Sequence, residues 1–410
     1  MKAAIRYLLR NQRRSILALA AVIVPVFLLV LMFGMIGGME RDMFLDTIRF
    51  ETGHLQIRRA SERPPGAALP LIRDPAPLIA LVGATAGIEW YTVRLDIPAL
   101  AASADRSVGV LVQGVDPERI TRISPLYRMV EQGRYLAADD SGVVIGVQLL
   151  KTLGLAEGEG LILLGAPPDV GRGVARRRSW GVFKPVDPEL GRAIVHVDLA
   201  VAQRLVRAPG AITSIVAQVG GVDGPWDAPK IDRVVAQLAE RMPDGYQVMG
   251  WEELAPEFAS FMRIIRPITI GFMIVFFLLG GFVVLNILYL SVLDRTRELG
   301  VIAALGASRT RVMSIVLNEA LLIASVGAVF GALSGWGLVE LIERLGGIPM
   351  PEQYEVMQAL MGMEPLIRLR VTGAEVALSA LVMIVIAVLS AWYPAFMAGR
   401  LEPVEAMRHA

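Results

Sequence analysis

The hydrophobic and polar positions divide this chain into four long apolar segments and one large mixed region. A helix needs about 20 mostly apolar residues to cross the hydrocarbon core of a membrane. Four segments meet that requirement, and Glu319 in the third is the one charged residue among them; they are residues 15–39, 267–293, 312–339 and 376–399. The pattern predicts a membrane protein with four transmembrane α-helices.

The region between the first two spans, residues 40–266, is predicted to be a mixed α/β domain. Short strand-like runs alternate with helical patterns, and Gly, Pro and Asp separate them, as is usual at turns. The predicted strands are 54–58, 88–95, 108–114, 142–146, 160–164, 193–197 and 212–219, and the predicted helices are 147–153, 199–206 and 228–241. We expect Glu252–Met262 to continue into the second span and the basic run Arg172–Arg178 to be a solvated loop.

A basic segment, residues 1–14, precedes the first span, so this span could be a signal peptide or an uncleaved anchor. Its apolar run exceeds the 7–15 residues of a signal sequence, and no small-residue cleavage site follows it. The pattern favours an anchor.

The Lys and Arg residues that flank the spans predict the orientation. Segments 1–14, 294–311 and 400–410 are richer in basic residues than segments 39–51, 252–266 and 340–375 on the other side. Basic flanks remain on the cytoplasmic side of a membrane. Both termini are therefore expected in the cytoplasm, with the α/β domain and the 340–375 loop outside.

The short cytoplasmic connection, residues 294–311, has the pattern of an amphipathic helix and is called the coupling segment below. Its apolar residues fall roughly on one side of that helix and its charged residues precede them: Leu299, Ile302, Ala303 and Leu305, after Arg295, Arg297 and Glu298. Gly306 is suited to end the helix, and Ser308 to cap the next one. A helix on the membrane surface and a helix docked in a groove of a partner both fit this pattern.

Small residues recur at every fourth position of the third span, at Gly327, Gly331 and Gly335. Small residues let helix backbones approach closely in a membrane, so this face is predicted to pack against another span. Glu319 lies about two turns from the cytoplasmic end, where its carboxylate could snorkel or form an ion pair.

The amino-acid composition argues against several classes of function. The 40 basic and 39 acidic residues nearly cancel, which argues against a nucleic-acid partner. There are no cysteines and three widely separated histidines, so we expect no metal site. No phosphate-binding loop, nucleophile elbow or zinc motif occurs, and we expect no catalytic site and no bound cofactor in this chain.

The chain resembles the FtsX-like permease superfamily, in particular its lipoprotein-releasing (LolC/LolE-type) and MacB-type permeases. The likeness runs through nearly the whole chain in the right order, and the coupling segment and the C-terminal tail are its most specific parts. The stretches that carry it are Arg6–Arg14, Gly53–Ile57, Val112–Pro117, Gly133–Tyr135, Val143–Leu155, Asp294–Ser308, Glu319 with the three glycines, and Trp392–Met407.

The resemblance implies a permease subunit in a bacterial inner membrane with a MacB-type periplasmic core as its α/β domain. It implies that Arg295–Gly306 sits on a cytoplasmic ABC ATPase, which binds ATP and Mg²⁺, and that two ATPase subunits join two permease copies or paralogues. A periplasmic adaptor or a lipoprotein would be a further partner, besides membrane lipid.

Two functions remain open on this basis. The leading one is movement of a lipidated or amphipathic substrate on the outer side of the membrane. The alternative is a mechanotransmitting scaffold of the FtsX type, which activates an extracytoplasmic hydrolase or sensor. The outer connection 340–375 is longer than in MacB-type pumps, which favours the lipoprotein-releasing branch.

Overall fold

A computed structural model describes residues 12–60, 70–156, 158–165, 173–184, 188–349, 351 and 366–400. The chain divides into two compact units, which are described separately. We call residues 1–39, 263–349 and 366–410 the membrane unit, and residues 40–262 with 350–365 the sheet unit.

Helices and strands are numbered here in chain order. The α-helices are α1 (Gln12–Asp46), α2 (Ala76–Gly83), α3 (Pro117–Ile123), α4 (Val147–Leu153), α5 (Pro188–Ala193), α6 (Leu199–Leu205), α7 (Ala228–Ala239), α8 (Trp251–Leu254), α9 (Pro256–Asp294), α10 (Thr296–Ala304), α11 (Arg309–Arg344) and α12 (Gly373–Gly399). A π-helical turn, Thr47–Thr52, and two 3₁₀ turns, Pro125–Met129 and Pro225–Asp227, accompany them. The strands are β1 (Leu55–Arg59), β2 (Ile88–Ala102), β3 (Ser107–Val115), β4 (Val130–Gly133), β5 (Val143–Gly146), β6 (Gly160–Gly165), β7 (Gly173–Phe183), β8 (Ile194–Asp198), β9 (Ser214–Val219), β10 (Tyr246–Gly250), β11 (Ile348–Pro349) and β12 (Leu366–Ile367).

In the part of the chain that the structure describes, four helices, α1, α9, α11 and α12, are long and apolar enough to cross a membrane, which confirms the predicted number of spans. All four extend beyond the predicted apolar segments: α1 continues to Asp46, α9 begins at Pro256, α11 runs from Arg309 to Arg344, and α12 begins at Gly373. The predicted ends were set by the first charged residues. Helical hydrogen bonds are internal to the segment, so a helix can continue after its side chains become polar.

The spans pack around a core of apolar side chains from all four helices, including Val26, Phe277, Ala324 and Met383. Most of the remaining apolar surface of α9 is exposed, for example at Phe272, Leu278 and Phe282. Exposed apolar side chains on a spanning helix are suited to hydrocarbon, where no water penalises them.

The sheet unit contains one mixed sheet whose described strands lie in the order β10-β1-β9-β2-β3-β8-β5-β7-β4, with β6 paired to β2 and β7. The pairs β3–β8 and β5–β7 are parallel, and the other neighbours are antiparallel. The predicted mixed α/β domain between the first two spans is therefore confirmed.

The two faces of this sheet differ in chemistry. One face is apolar and is covered by α2, α4, α6 and α7, whose buried residues include Leu78, Leu149, Val201 and Ile231. The opposite face has polar side chains at alternating positions of the same strands: Gln56, Arg58, Thr92, Arg94, Asp96, Gln113, His196 and Ser214. Strand side chains alternate between faces, so strand register decides which of these residues meet.

Two predictions for the sheet unit were wrong in part. Residues 173–178 of the predicted basic loop belong to β7, where they pair with β6. Local polarity suggested a loop, but a strand is held by partners distant in sequence. Residues 252–254 do not continue into the second span, because Pro256 restricts Ala255 to a non-helical conformation and separates α8 from α9.

Several predicted segments lie outside the described residues. They are residues 1–11 of the basic N-terminal segment, residues 401–410 of the tail, and positions 350, 352–365 of the outer connection. The described ends of that connection pair as the short antiparallel strands β11 and β12.

Candidate functional site

The coupling segment folds as the short helix α10 followed by a sharp turn. Gly306 stands just beyond the helix with φ 93°, a conformation that glycine adopts without strain. Ser308 then caps α11 by accepting a hydrogen bond from the Arg311 N–H at 3.4 Å. Both predictions, that Gly306 ends the helix and that Ser308 caps the next, are confirmed.

One side of α10 is anchored within the membrane unit. Leu299 is 2% exposed and packs in a cluster formed by α9, α11 and α12, whose other buried members are Val292, Val312, Val316, Ala395 and Ala398. Ile302 is half-buried against the same cluster. These apolar contacts fix α10 to the ends of three spanning helices.

The opposite side of α10 is exposed, and we call it the docking face. Leu305 is 83% exposed and Val301 44%. They lie on one helical face together with the exposed residues Arg297, Glu298 and Ala304. The sequence pattern grouped Leu299, Ile302 and Leu305 on one apolar face, whereas the structure separates Leu305 from the other two.

A buried ion pair connects the start of α10 to the interior of α11. Arg295 Nη1 lies 2.5 Å from Glu319 Oε2, and the two side chains are 15% and 10% exposed. Arg295 Nε also lies 3.4 Å from Glu298 Oε2. The Glu319 carboxylate therefore forms an ion pair inside the membrane unit. Among the alternatives left open for Glu319, pairing is the one observed.

The three glycines of α11 form a ridge against α1, which identifies the helix that the sequence left unnamed. A Cβ atom on Gly327, Gly331 or Gly335 would stand 2.7–2.9 Å from Val22, Val26 or Val30 of α1. That separation is shorter than any normal carbon–carbon contact. At these positions glycine is required for the observed approach of α1 and α11.

Sequence reasoning missed Val301 and Ala304 as parts of the docking face. Arg297, Val301 and Leu305 are spaced four residues apart, which would place them on one helical face. The sequence pattern did not separate this face from a second one, because the apolar residues Leu299 and Ile302 also recur at helical spacing within the same nine residues.

The residues that the structure describes contain no group of three or more metal-ligating side chains. The two described histidines are buried in the sheet unit. His196 is bonded through Nδ1 to the Tyr135 hydroxyl at 2.8 Å and through Nε2 to Gln113 Oε1 at 3.0 Å. Hydrogen bonds at both ring nitrogens therefore hold the His196 side chain in place within the sheet unit.

Residues 270–403 match the family model described as FtsX-like permease C-terminal. This stretch is an FtsX-like permease domain. It contains the coupling segment, the Arg295–Glu319 pair and the glycine ridge of α11, so the geometry described above belongs to the permease domain.

This chain is similar to several ABC transporter permeases. It is 24% identical to the lipoprotein-releasing system transmembrane protein LolC of Xylella fastidiosa over 320 residues, which cover 74% of each chain. It is 31% identical to the ABC transporter permease YknZ of Bacillus subtilis over 40% of this chain and 37% of that protein. It is 29% identical to the macrolide export ATP-binding/permease protein MacB of Syntrophobacter fumaroxidans, over 41% of this chain and 21% of MacB.

Solved structures with some likeness to this chain include the extracellular domain of YknZ from Gram-positive bacteria and the periplasmic region of MacB from Actinobacillus actinomycetemcomitans. They are 13% and 12% identical to it and cover 48% and 55% of this chain and 99% and 98% of theirs, each with a TM-score of 0.34.

Proposed function

We propose that this chain is the non-catalytic permease subunit of an ABC transporter and that its docking face binds a separate cytoplasmic ATPase. The observation that carries the proposal is the two-sided setting of α10. One side is held by Leu299 and the Arg295–Glu319 pair, while Val301 and Leu305 remain exposed on the other. An amphipathic helix of this kind is suited to a hydrophobic groove on a partner.

The charged residues beside the docking face would fix the register of this contact. Arg297 and Glu298 carry opposite charges next to Val301 and Leu305, and charges at the rim of an interface select the partner and its orientation. In the full complex we place two ATPase subunits, which bind ATP and Mg²⁺, beside two permease copies or paralogues. Both termini and the coupling segment would lie in the cytoplasm.

The buried side of α10 would transmit movement of the ATPase to the spans. Arg295 contacts Glu319 in α11, and Leu299 contacts α9, α11 and α12, so a displacement of α10 would act on three spanning helices. Close-packed side chains resist deformation and pass displacement on. Leu299, Ile302 and Gly306 thus serve coupling by holding and ending the helix.

We propose a lipidated or amphipathic substrate that is moved on the outer side of the inner membrane. Support comes from the LolC relative, whose name assigns it to a lipoprotein-releasing system. It also comes from the described spans, where the one buried ionisable side chain, Glu319, is paired with Arg295. A substrate with an apolar anchor needs no charged path through these helices.

The FtsX-like family match keeps a second function open, namely a scaffold that activates an extracytoplasmic hydrolase or sensor. Both functions use the same coupling to an ATPase. They differ in the process that ATP hydrolysis drives. In one case a substrate is released from the membrane, and in the other an outer enzyme is activated.

Site-specific photo-crosslinking tests the docking face. A benzoyl-phenylalanine at position 305 is expected to crosslink to an ABC ATPase that is encoded near this gene and co-expressed with the full chain. The same probe at Leu345, an equally apolar and 75% exposed position at the far end of α11, is the matched control and should yield no such product.

Substitution of the docking face provides the second readout. Val301→Asp with Leu305→Asp should reduce ATPase recovery at least about tenfold, since interface anchors contribute about 1–4 kcal/mol each. Equal recovery by the double variant at matched membrane expression, or crosslinks of equal yield from positions 305 and 345, would refute the docking face.

A further inference from the structure

The side of α9 that faces away from the core of the spans carries a regular row of exposed side chains. Their intervals alternate between four and three residues, which is the heptad spacing of helices that pair along their length. The five apolar members are 52–66% exposed, and the sixth, Asn286, is exposed as well. We call this row the α9 stripe: Ile268, Phe272, Val275, Leu279, Phe282 and Asn286.

The opposite side of α9 is occupied by other helices of the membrane unit. Phe277, Val284 and Leu288 are buried in the core of the four spans. A Cβ atom on Gly281 would stand 2.5 Å from the Ile386 side chain of α12, so these two helices approach closely. Packing within one chain therefore uses the side of α9 that lies away from the α9 stripe.

Asn286 places a carboxamide within the hydrocarbon. The charge-free segment 267–293 is about 40 Å long, so a hydrocarbon core of about 30 Å that is centred on it includes Asn286. This side chain makes no hydrogen bond with any residue that the structure describes. The hydroxyl groups of Thr269 and Ser334, by contrast, donate to carbonyl groups of their own helices at 3.0 and 3.1 Å. Lipid chains offer neither donor nor acceptor, so the Asn286 amide requires a partner on another protein chain.

The chemistry of this amide selects the partner. Apolar side chains suit lipid and protein alike, but a carboxamide has donors and an acceptor and is therefore complementary to a second carboxamide. Two copies of this chain have the same orientation in a membrane, and a two-fold axis along the membrane normal brings each residue of the α9 stripe to its own counterpart. A single asparagine in an apolar heptad row fixes the register of such a pair.

We propose that two copies of this chain pair through the α9 stripe, with Asn286 hydrogen-bonded to Asn286 of the partner subunit. The inference rests on the proposed pair of permease subunits, and it identifies the second subunit as a copy of this chain. The apolar members pack as a left-handed helix pair that crosses at about 20°. The contact is separate from the docking face and requires neither nucleotide nor ATPase.

Single-cysteine crosslinking tests the geometry, because the chain has no native cysteine. In oxidised membranes that contain the full chain without its ATPase, Val275→Cys and Phe282→Cys should each form a disulfide dimer. Ile274→Cys is the matched control, since Ile274 is 54% exposed and adjacent to Val275 but points about 100° away around the helix. It should give at least about fivefold less dimer, because a disulfide needs Cβ atoms within about 4.5 Å.

Substitution of Asn286 tests the hydrogen bond. Asn286→Leu should raise the dissociation constant of the dimer in detergent at least about threefold, as measured by analytical ultracentrifugation. Asn286→Gln keeps the carboxamide and should retain most of the affinity. Ser334→Leu is the matched control, since it replaces another exposed polar residue of the spans with leucine and should leave the dissociation constant unchanged.

Three outcomes would overturn the proposal. They are equal crosslinking from positions 274 and 275, an unchanged dissociation constant for Asn286→Leu, and crosslinks from position 275 that join this chain to a different membrane protein. The side chains of the α9 stripe are exposed within one chain, so the variants should keep the unfolding temperature of the monomer, which is measured in parallel. The crosslink from position 305 to the ATPase is an independent measurement, so failure of this inference is distinguishable from failure of the proposed function.

Discussion

At the scale of single residues, Glu319 is a carboxylate that is buried in the membrane unit. A carboxylate taken out of water loses several kcal/mol of hydration, and a partner must compensate for this loss. Arg295 is that partner, although 24 residues separate the two in sequence. The ion pair therefore forms only when α10 and α11 have the arrangement that is observed.

Removal of one member of this pair should destabilise the protein. Glu319→Ala leaves the largely buried Arg295 without its closest carboxylate, at a cost of about 3–5 kcal/mol. We expect a clearly lower unfolding temperature in detergent, followed by size-exclusion chromatography after heating. Glu340→Ala is the matched control on the same helix, since its pair with Arg344 is exposed and such pairs contribute about 0–1 kcal/mol.

A double-mutant cycle identifies the cause. If Arg295→Met with Glu319→Ala is more stable than either Arg295→Met or Glu319→Ala alone, the cost came from an unpaired buried charge. Additive losses would contradict the ion pair.

The buried histidines make the sheet unit sensitive to acid. Burial, with the charge of Arg49, lowers the pKa of His54 to about 4. Burial, with the charge of Arg94, lowers the pKa of His196 to about 3. The unfolded chain, with histidine pKa values near 6.5, binds protons that the folded unit cannot accept.

Stability should therefore fall as the pH drops from about 6.5 to about 4, by up to about 1.4 kcal/mol per pH unit for each histidine. Above pH 6.5 these two histidines should not make the free energy of unfolding depend on pH. Thermal unfolding of the full chain from pH 8 to pH 4, followed by the near-ultraviolet signal, measures the slope. His196→Gln should make it shallower, and an unchanged slope would contradict the assignment.

At the scale of elements, the approach of α1 to α11 depends on residues that lack side chains. Gly327, Gly331 and Gly335 face Val22, Val26 and Val30 of α1, so the two backbones approach more closely than any side chain on α11 would permit. Helix pairs in membranes rely on such close packing, because water exclusion supplies no driving force there.

Gly331→Val should separate these helices and lower the unfolding temperature, since overpacking costs about 1–3 kcal/mol. Gly337→Val is the matched control on the same helix, where a Cβ atom would meet nothing within 4 Å. Both substitutions add the same side chain to the same helix, so only packing differs. Similar losses for the two variants, measured by thermal unfolding in detergent, would contradict the ridge.

At the scale of the whole molecule, the four spans and the sheet unit imply a defined topology. The unequal number of basic residues in the flanks predicts that both termini and the coupling segment are cytoplasmic. The region between α1 and α9 then lies outside. This orientation is required for the docking face to reach an ATPase.

Reporter fusions test the orientation. Fusions at residues 150 and 358 should be active only outside, and a fusion at residue 302 only in the cytoplasm. Paired reporters, alkaline phosphatase and green fluorescent protein, provide the internal control because each is active on one side of the membrane. A cytoplasmic signal from residue 150 would refute the topology and the proposed function together.

The sequence alone determined the features that depend on local pattern. Four spans follow from the length of apolar runs, and the mixed α/β domain follows from alternating runs separated by turn residues. The end of α10 at Gly306 and the cap at Ser308 follow from the backbone preferences of glycine and serine. Each of these features depends on residues that are close together in the chain, so the local sequence is enough to predict it.

Tertiary structure alone decided which residues meet. It assigned Leu299 to the interior and Leu305 to the surface, paired Arg295 with Glu319, and set the glycine ridge against α1. It also made the basic run a strand and placed Arg58 and Arg94 on the same face of the sheet through the register of β9. The free energies of burial, ion pairing and strand pairing depend on partners many residues away, and local pattern does not encode the identity of those partners.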